Sequence, residues 1–324
     1  MAEVEAVSFK NAQGLTLFGS LHSPASPRAN LPLVVLLSPG VKMRVGPGRL
    51  YVPLTDLLVS MGHRVLRFDF YGLGDSEGDL TETMLADVYN NIEVGRYVDD
   101  SIAALDWAQK HLGVKRFLLG GLCGGALTGI LVAERDARVE GLLSLGMTVT
   151  LASNAARPGQ YLTRAQLDDR RARYFRKLLS PTAWLRFFSF KSEYGVIWRA
   201  VKRLFVKDKP APAPAVTAAV AAAPAADAPI EQRGNANPLF PKAYFAFLQR
   251  GGKALMLFSE KDRLGSEYQE KFCEPYAAQL QPYQGQIVQH VIPEANHVLS
   301  FREWQVKMLE HSRAWLTRLY PASH

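Results

Sequence analysis

The segment from Phe117 to Ile130 places a cysteine between an apolar run and a run of small residues. The apolar part, Arg116 to Leu122, is typical of a buried strand, and the residues from Gly124 onward suit a helix. Glycine lies two residues before the cysteine, at Gly121, and two residues after it, at Gly125. In a tight strand-to-helix turn, side chains at those positions would collide with the backbone, and glycine removes the collision. We therefore predict a nucleophile elbow with Cys123 at its tip.

Two other interpretations of this segment compete with the elbow. Cys123 could be a buried structural cysteine, because a small, soft side chain is often buried. A dinucleotide-binding loop is excluded, because Leu122 and Cys123 occupy positions where G-x-G-x-x-G requires glycine. In the elbow, the unpaired N–H groups and the dipole at the helix N-terminus favour a thiolate.

The chain has 324 residues, of which 48% are hydrophobic and 21% charged. That length suits one large α/β domain with an insertion and a sizeable core. The two cysteines, Cys123 and Cys273, suggest neither a disulfide framework nor a metal site. The first five residues are acidic and carry no apolar signal core, and no apolar run is long enough to span a bilayer. We therefore expect a cytoplasmic protein without metal or cofactor, in which Cys123 is a free thiol.

Apolar runs alternate with helical spacings along most of the chain. Strands are predicted over 7–11, 15–22, 31–37, 63–70, 116–122, 139–147, 254–258 and 287–292. Helices are predicted over 50–60, 99–112, 124–134, 268–280 and 301–319. The alternation predicts an α/β fold: a mostly parallel central sheet with helices on both faces.

The alternation stops at Thr148 and is predicted to resume at Ala254. Residues 164–208 carry twelve Lys and Arg against four acids, which equals the whole net charge of +8. Residues 209–236 are mostly Ala and Pro and cannot form a core. We predict four parts: a first core part over 1–148, a basic, aromatic helical cap over 149–208, a disordered tether over 209–236, and a second core part over 237–324.

Two further residues follow the cysteine in the chain order that nucleophilic catalysis needs. A cysteine nucleophile needs a base and a carboxylate that orients the base. Asp262 and His297 each lie just past the C-terminal end of a predicted strand, on the sheet edge where Cys123 also lies. We therefore predict the catalytic set Cys123, Asp262 and His297, with Glu260 as an alternative acid. Asp69 is expected to be structural, because the turn that follows it is rich in glycine.

An oxyanion formed at Cys123 needs two backbone donors. One is expected from the N–H of Gly124, the residue after the nucleophile. The other is expected from the glycine-rich loop after the 31–37 strand, where Val41 follows Gly40. The alternative for Val41 is an ordinary turn residue.

These motifs resemble the α/β-hydrolase superfamily over about 1–150 and 250–320. The shared features are the glycine loop from Ser38, Asp69-x-x-Gly72-x-Gly74-x-Ser76, the elbow, the Asp262 turn and the His297 loop. More narrowly, the chain resembles the hydrolases encoded with exosortase systems, often called hydrolase 1. That resemblance rests on Arg44-Val45-Gly46, Arg49, the 65–78 segment, Gly121-Leu122-Cys123 and the 174–184 segment. Residues 88–97 and the Ala/Pro segment are additions to its pattern.

A cysteine nucleophile attacks esters and thioesters more readily than unactivated amides. We therefore expect hydrolysis of an ester or thioester through an acyl-cysteine intermediate. One alternative is transfer of the acyl group to an acceptor, as in polyhydroxyalkanoate synthases, whose Gly-x-Cys-x-Gly elbow is similar. A dienelactone-hydrolase-like enzyme, which also uses cysteine, is less favoured because of the large cap. The remaining alternative is a non-catalytic binding module on the same scaffold.

The basic segment bears on partners. A positive field there would attract coenzyme A, an acidic acyl-carrier protein or an anionic membrane surface, where its aromatic residues could dip below the headgroups. A solvated face without a ligand is the alternative. No motif for nucleic-acid binding accompanies the charge. The sequence does not predict an oligomeric state.

Overall fold

A computed structural model describes residues 3–28, 30–151 and 235–321. Its centre is one sheet of eight strands. In chain order the strands are β1 (Glu3–Lys10), β2 (Thr16–Ser23), β3 (Leu33–Leu37), β4 (Val65–Phe68), β5 (Phe117–Leu122), β6 (Val139–Leu145), β7 (Lys253–Ser259) and β8 (Ile287–Ile292). The central strands β3 to β6 are buried almost throughout, which fits their continuous apolar sequence.

The strands lie in the order β1-β2-β4-β3-β5-β6-β7-β8. β1 pairs antiparallel with β2, and β2 pairs antiparallel with β4. Every other neighbouring pair is parallel, so the carboxyl ends of β3, β5, β7 and β8 lie at one edge. The predicted, mostly parallel sheet is confirmed, and the edge it creates is the one expected to carry the site.

Helices cover both faces of this sheet. In the described residues the α-helices are α1 (Tyr51–Ser60), α2 (Leu85–Glu93), α3 (Val98–Leu112), α4 (Gly124–Arg135), α5 (Leu239–Gln249), α6 (Leu264–Tyr268), α7 (Ala277–Leu280) and α8 (Arg302–Leu319). The helices α1 and α8 contribute to one apolar core, and α2 to α5 contribute to the other. This arrangement confirms the predicted α/β class with helices on both faces.

Three helical segments differ from the sequence-based expectation. Helix α5 begins at Leu239, so regular structure resumes before Ala254, and it buries Phe240 and Phe247. Helix α2 lies within a stretch for which no element was predicted. The helix expected over 268–280 is broken, because residues 269–273 form a π-helical turn that buries Phe272.

The two described segments on either side of residues 152–234 are hydrogen-bonded to each other. Leu151 N–H donates to the carbonyl of Asn235 at 2.7 Å, and Asn237 N–H donates to the carbonyl of Val149 at 2.8 Å. The helical cap predicted over 149–208 and the tether predicted over 209–236 lie outside the described residues, apart from 149–151 and 235–236. In the part of the chain that is described, no helix is both long and apolar enough to cross a membrane.

Candidate active site

Cys123 lies between the end of β5 and the start of α4, with backbone angles of φ 54° and ψ −114°. A positive φ is rare for a residue that carries a side chain and is strained. Two backbone hydrogen bonds hold it: Cys123 N–H donates to the carbonyl of Leu145 at 2.9 Å, and Leu127 N–H donates to that of Cys123 at 3.1 Å. The thiol is half-buried, at the border of both apolar cores.

The two elbow glycines fill positions where no side chain fits. A Cβ at Gly121 would lie 2.5 Å from the carbonyl carbon of Gly125. A Cβ at Gly125 would lie 2.5 Å from the carbonyl oxygen of Leu37. Both obstacles are backbone atoms, which cannot rotate away as a flexible side chain can. The steric reason that led to the elbow prediction is therefore present in the structure.

A buried tyrosine joins the strand before the elbow to its neighbour. The hydroxyl of Tyr51 donates to the carbonyl of Leu37 at 2.8 Å and accepts from Leu122 N–H at 2.7 Å. This bridge fixes the last residues of β3 and β5 side by side, one residue before the nucleophile candidate. Sequence reasoning missed it, because Tyr51 is 14 and 71 residues from these partners and no local pattern connects them.

The turns after β7 and β8 are tied together. Lys261 N–H donates to the carbonyl of Ala295 at 2.9 Å, and Glu260 N–H donates to that of Ile292 at 3.1 Å. The Glu260 carboxylate accepts from Glu294 N–H at 2.7 Å. The Glu260 carboxylate therefore bonds within these turns. Asp262, and not the alternative acid Glu260, contacts His297.

Asp262 and His297 are brought into contact by these turns. His297 Nδ1 lies 2.5 Å from Asp262 Oδ2. The His297 side chain is 39% exposed and that of Asp262 is 11% exposed, so the ring is accessible while its partner is covered. The hydrogen bond to Asp262, helped by the neighbouring Cys123 thiol, raises the pKa of His297 from 6.5 to about 10.

The loop after β3 lies against the start of α4. A Cβ at Gly124 would lie 3.3 Å from the backbone nitrogen of Gly40. Within residues 3–28, 30–151 and 235–321, neither Gly124 N–H nor Val41 N–H donates a backbone hydrogen bond. The two segments expected to supply oxyanion donors are thus adjacent, and neither N–H group has a backbone partner among the described residues.

Asp69 is fully buried and its carboxylate is fully engaged. Oδ1 accepts from Arg44 N–H at 2.5 Å, Oδ2 accepts from Asp75 N–H at 3.2 Å, and the Arg44 guanidinium forms an ion pair with the same carboxylate. Ser76 Oγ donates to the carbonyl of Asp69 at 2.6 Å. A Cβ at Gly74 would lie 2.2 Å from Asp69 Oδ2, so glycine is required there. The expectation that Asp69 is structural is confirmed.

Three other histidines and the second cysteine have surroundings of their own. His63 is buried, with Nδ1 3.0 Å from the carbonyl of Pro32. His290 and His311 stack on each other with ring centroids 4.0 Å apart. Burial raises the pKa of Cys273 to about 11. Among the described residues, no group of three or more His, Cys, Asp or Glu is placed to hold a metal ion.

Comparison with known proteins places this geometry in a family. A family model described as "Alpha/beta hydrolase family" matches residues 34–306. No curated protein sequence matches the chain at a significant level. Among solved structures, the Pyrococcus furiosus esterase Pf2001 is 15% identical, with a TM-score of 0.55 over 98% of this chain and 92% of that one. TT1662 from Thermus thermophilus is 16% identical, with a TM-score of 0.54 over 99% of this chain and 100% of that one.

Identities this low show a shared fold and carry no activity from one protein to another. The family model is the stronger finding, because it extends from β3, through the elbow, past His297 and into α8. It covers well over half of the 324 residues. The chain therefore belongs to the α/β hydrolase family.

Proposed function

We propose that this α/β hydrolase cleaves an ester or thioester through an acyl-cysteine intermediate. Cys123 is the nucleophile, His297 moves the proton, and Asp262 orients the ring. The observation that carries the proposal is the 2.5 Å hydrogen bond from His297 Nδ1 to Asp262 Oδ2, beside a cysteine at a positive φ. A non-catalytic module would have no need to keep a strained cysteine next to an oriented histidine.

In the acylation step, the sulfur of Cys123 bonds to the substrate carbonyl carbon after His297 has taken its proton. The π electrons of the carbonyl move to oxygen, and this oxyanion accepts hydrogen bonds from the N–H groups of Gly124 and Val41. When the carbonyl re-forms, the bond to the leaving alcohol or thiol breaks. The leaving group takes the proton from His297, whose raised pKa of about 10 keeps the ring protonated at neutral pH until that point.

In the deacylation step, His297 takes a proton from water, and the hydroxide attacks the acyl-cysteine carbonyl. As the carbonyl re-forms, the carbon–sulfur bond breaks and the carboxylic acid leaves. The Cys123 sulfur departs with the bonding electrons as a thiolate beside His297, which holds the proton taken from water. The same oxyanion donors serve this step, because the same carbonyl oxygen carries the charge. An acceptor amine, alcohol or thiol in place of water would give acyl transfer by the same sequence of bonds.

The substrate class follows from the nucleophile. A thiolate opens esters and thioesters without the help that an amide leaving group needs. The basic segment over 164–208 is part of the proposal as a docking region for coenzyme A, an acidic carrier protein or an anionic membrane surface, and its structure lies outside the described residues. The narrower resemblance to exosortase-associated hydrolases is likewise proposed, and it names no substrate.

The test is rapid-mixing kinetics with p-nitrophenyl acetate and p-nitrophenyl butyrate. We expect a stoichiometric burst of p-nitrophenol in the wild-type chain and in Cys273→Ala. Cys123→Ala should lose the burst, and His297→Ala should slow it. Acyl-coenzyme A substrates, with and without an added amine acceptor, then separate hydrolysis from transfer.

Two results would contradict the proposal. A burst that persists in Cys123→Ala would show that another group is acylated. The absence of both burst and turnover with every ester and thioester would favour the non-catalytic alternative, in which the chain binds a ligand without cleaving it.

A further inference from the structure

Helix α2 touches both backbone segments of the proposed oxyanion site. A Cβ at Gly124 would lie 3.0 Å from Cγ2 of Ile92. A Cβ at Gly40 would lie 2.8 Å from Cε1 of Tyr89, and 3.6 Å from the Tyr89 hydroxyl oxygen. One side of α2 therefore packs on the residue before Val41 and on the residue after Cys123. No element was predicted for this segment, so neither contact was expected.

The helix is anchored, so the position of Tyr89 is defined. Val88 and Ile92 are buried in the core. The Glu82 carboxylate accepts from Asn91 Nδ2 at 2.6 Å and forms an ion pair with Arg96. At the other end, Asn237 Nδ2 donates to the carbonyl of Glu93 at 2.7 Å. These contacts tie α2 to both halves of the core.

Gly40 has a flexible backbone, so a side chain packed against it can restrict its movement. Its φ is +61°, and glycine changes between positive and negative φ at little energetic cost. Rotation of the Gly40–Val41 peptide would turn the Val41 N–H away from the oxyanion and put a carbonyl oxygen in its place. The Tyr89 ring packs against Gly40 on the side where a Cβ would lie, so it restricts movement of the Gly40 backbone. Burial, and in second place the nearby Cys123, raise the pKa of Tyr89.

We propose that Tyr89 is a positioning residue whose ring packs on Gly40 and holds the Val41 N–H in the orientation that stabilises the oxyanion. The inference rests on the proposed function, because an oriented donor matters only if an oxyanion forms. It assigns the role to the ring and not to the hydroxyl, since the ring carbon Cε1 is the atom of Tyr89 nearest to the Cβ position of Gly40.

Two reactions of the same thiol separate this role from general damage to the site. Acylation by p-nitrophenyl acetate passes through an oxyanion, whereas alkylation by iodoacetamide displaces iodide from a CH₂ group and forms none. Both rates are measured in wild type, Tyr89→Ala, Tyr89→Leu and Tyr89→Phe. Leu85→Ala is the matched control, because Leu85 lies on the same helix with its side chain 59% exposed.

We expect Tyr89→Ala and Tyr89→Leu to slow acylation by about 10²-fold, the usual effect of losing one oxyanion donor, with alkylation of Cys123 unchanged. Tyr89→Phe should keep at least half of the wild-type acylation rate, and Leu85→Ala should match wild type in both reactions. The loss should appear in kcat, with KM little changed, because the oxyanion exists only in the transition state and intermediate.

Three results would overturn the inference. Equal losses in Tyr89→Phe and Tyr89→Ala would assign the effect to the hydroxyl. Parallel losses of acylation and alkylation would show a damaged site. Wild-type acylation rates in Tyr89→Ala and Tyr89→Leu would show that the ring does not orient the Val41 N–H. A wild-type chain that takes no acyl group at Cys123 would remove the proposed function itself, and this inference with it.

Discussion

Cys123 and Cys273 are both half-buried free thiols, and their surroundings differ sharply. Cys123 lies at a helix N-terminus beside a protonated His297, whereas burial raises the pKa of Cys273 to about 11. At pH 7 a thiol with that pKa is ionised about 10²-fold less than an ordinary cysteine. The two cysteines therefore form an internal comparison of site chemistry.

We expect iodoacetamide at pH 7 to alkylate Cys123 at least about 10²-fold faster than Cys273, because alkylation follows the thiolate fraction. Peptide mapping after limited reaction measures both rates in one sample. Cys273→Ala should leave the fast phase intact, and Cys123→Ala should remove it. Comparable labelling of the two residues would mean that His297 and the helix N-terminus do not support a thiolate.

Asp262 is the main cause of the raised pKa of His297, so its replacement has a defined effect on pH behaviour. In Asp262→Asn we expect the pKa of His297 to fall from about 10 towards the ordinary 6.5, as followed by NMR titration of the ring. We expect kcat/KM at neutral pH to fall by about 10²- to 10⁴-fold. Glu260→Gln is the matched control, and it should change neither value.

The same shift links His297 to stability. A pKa raised on folding means that the protonated ring stabilises the folded chain fully below pH 6.5, and that this contribution is lost as pH rises through about 10. The Tm difference between wild type and Asp262→Asn should therefore shrink between pH 7 and pH 10.5. A difference that grows over this range would contradict the assigned ion pair.

At the scale of elements, the elbow is a packing problem between β3, β5 and α4. Gly121→Ala and Gly125→Ala each place a Cβ 2.5 Å from a backbone atom, so the strand or the helix must move. We expect each to lower the free energy of unfolding by at least about 2 kcal/mol and to abolish the fast alkylation of Cys123. Urea unfolding and the alkylation rate measure the two effects.

Gly129→Ala on the same helix is the matched control. Its Cβ would lie 3.4 Å from Leu142 Cδ2, an ordinary contact, and alanine favours the helix by about 1 kcal/mol over glycine. We expect it to be neutral or slightly stabilising. If it were as harmful as Gly121→Ala, the effect would reflect α4 in general and not the elbow.

The turn after β4 offers a second comparison between elements. Asp69 and Asp75 both contact Arg44, but the Asp69 side chain is 0% exposed and that of Asp75 is 61% exposed. Removing one partner of a buried pair costs about 3–5 kcal/mol, and removing one at the surface costs about 1 kcal/mol or less. Asp69→Ala should therefore destabilise the chain far more than Asp75→Ala in urea unfolding. Equal effects would contradict the structural role of Asp69.

At the scale of the whole molecule, the sheet was predictable because buried parallel strands are continuous apolar runs. Helix α5 has apolar residues at 240, 243, 244 and 247. It was missed because it directly follows the Ala/Pro segment, so regular structure was predicted to resume only at Ala254. Helix α2 carries Leu85, Val88, Tyr89 and Ile92 at helical spacing, but it has only nine residues, and this short pattern was missed.

The candidate site also has parts that were predictable from the sequence and parts that were not. Asp262 and His297 were predictable because chain order and strand ends bring residues to one edge of a parallel sheet. The contacts of Tyr51 with Leu122 and of Tyr89 with Gly40 were not, because the partners lie 71 and 49 positions apart in the chain. Pairing at that distance is set by tertiary packing, which no local spacing encodes.

In the proposed reaction, Cys123 carries the acyl group. The most direct test is intact-mass spectrometry of the chain quenched in acid after brief exposure to p-nitrophenyl butyrate, followed by peptide mapping of the modified residue. We expect one butyryl group, on the peptide that contains Cys123 and absent in Cys123→Ala. A butyryl group on another residue, or turnover of the ester with no adduct in wild type or in the slowed variant His297→Ala, would contradict it.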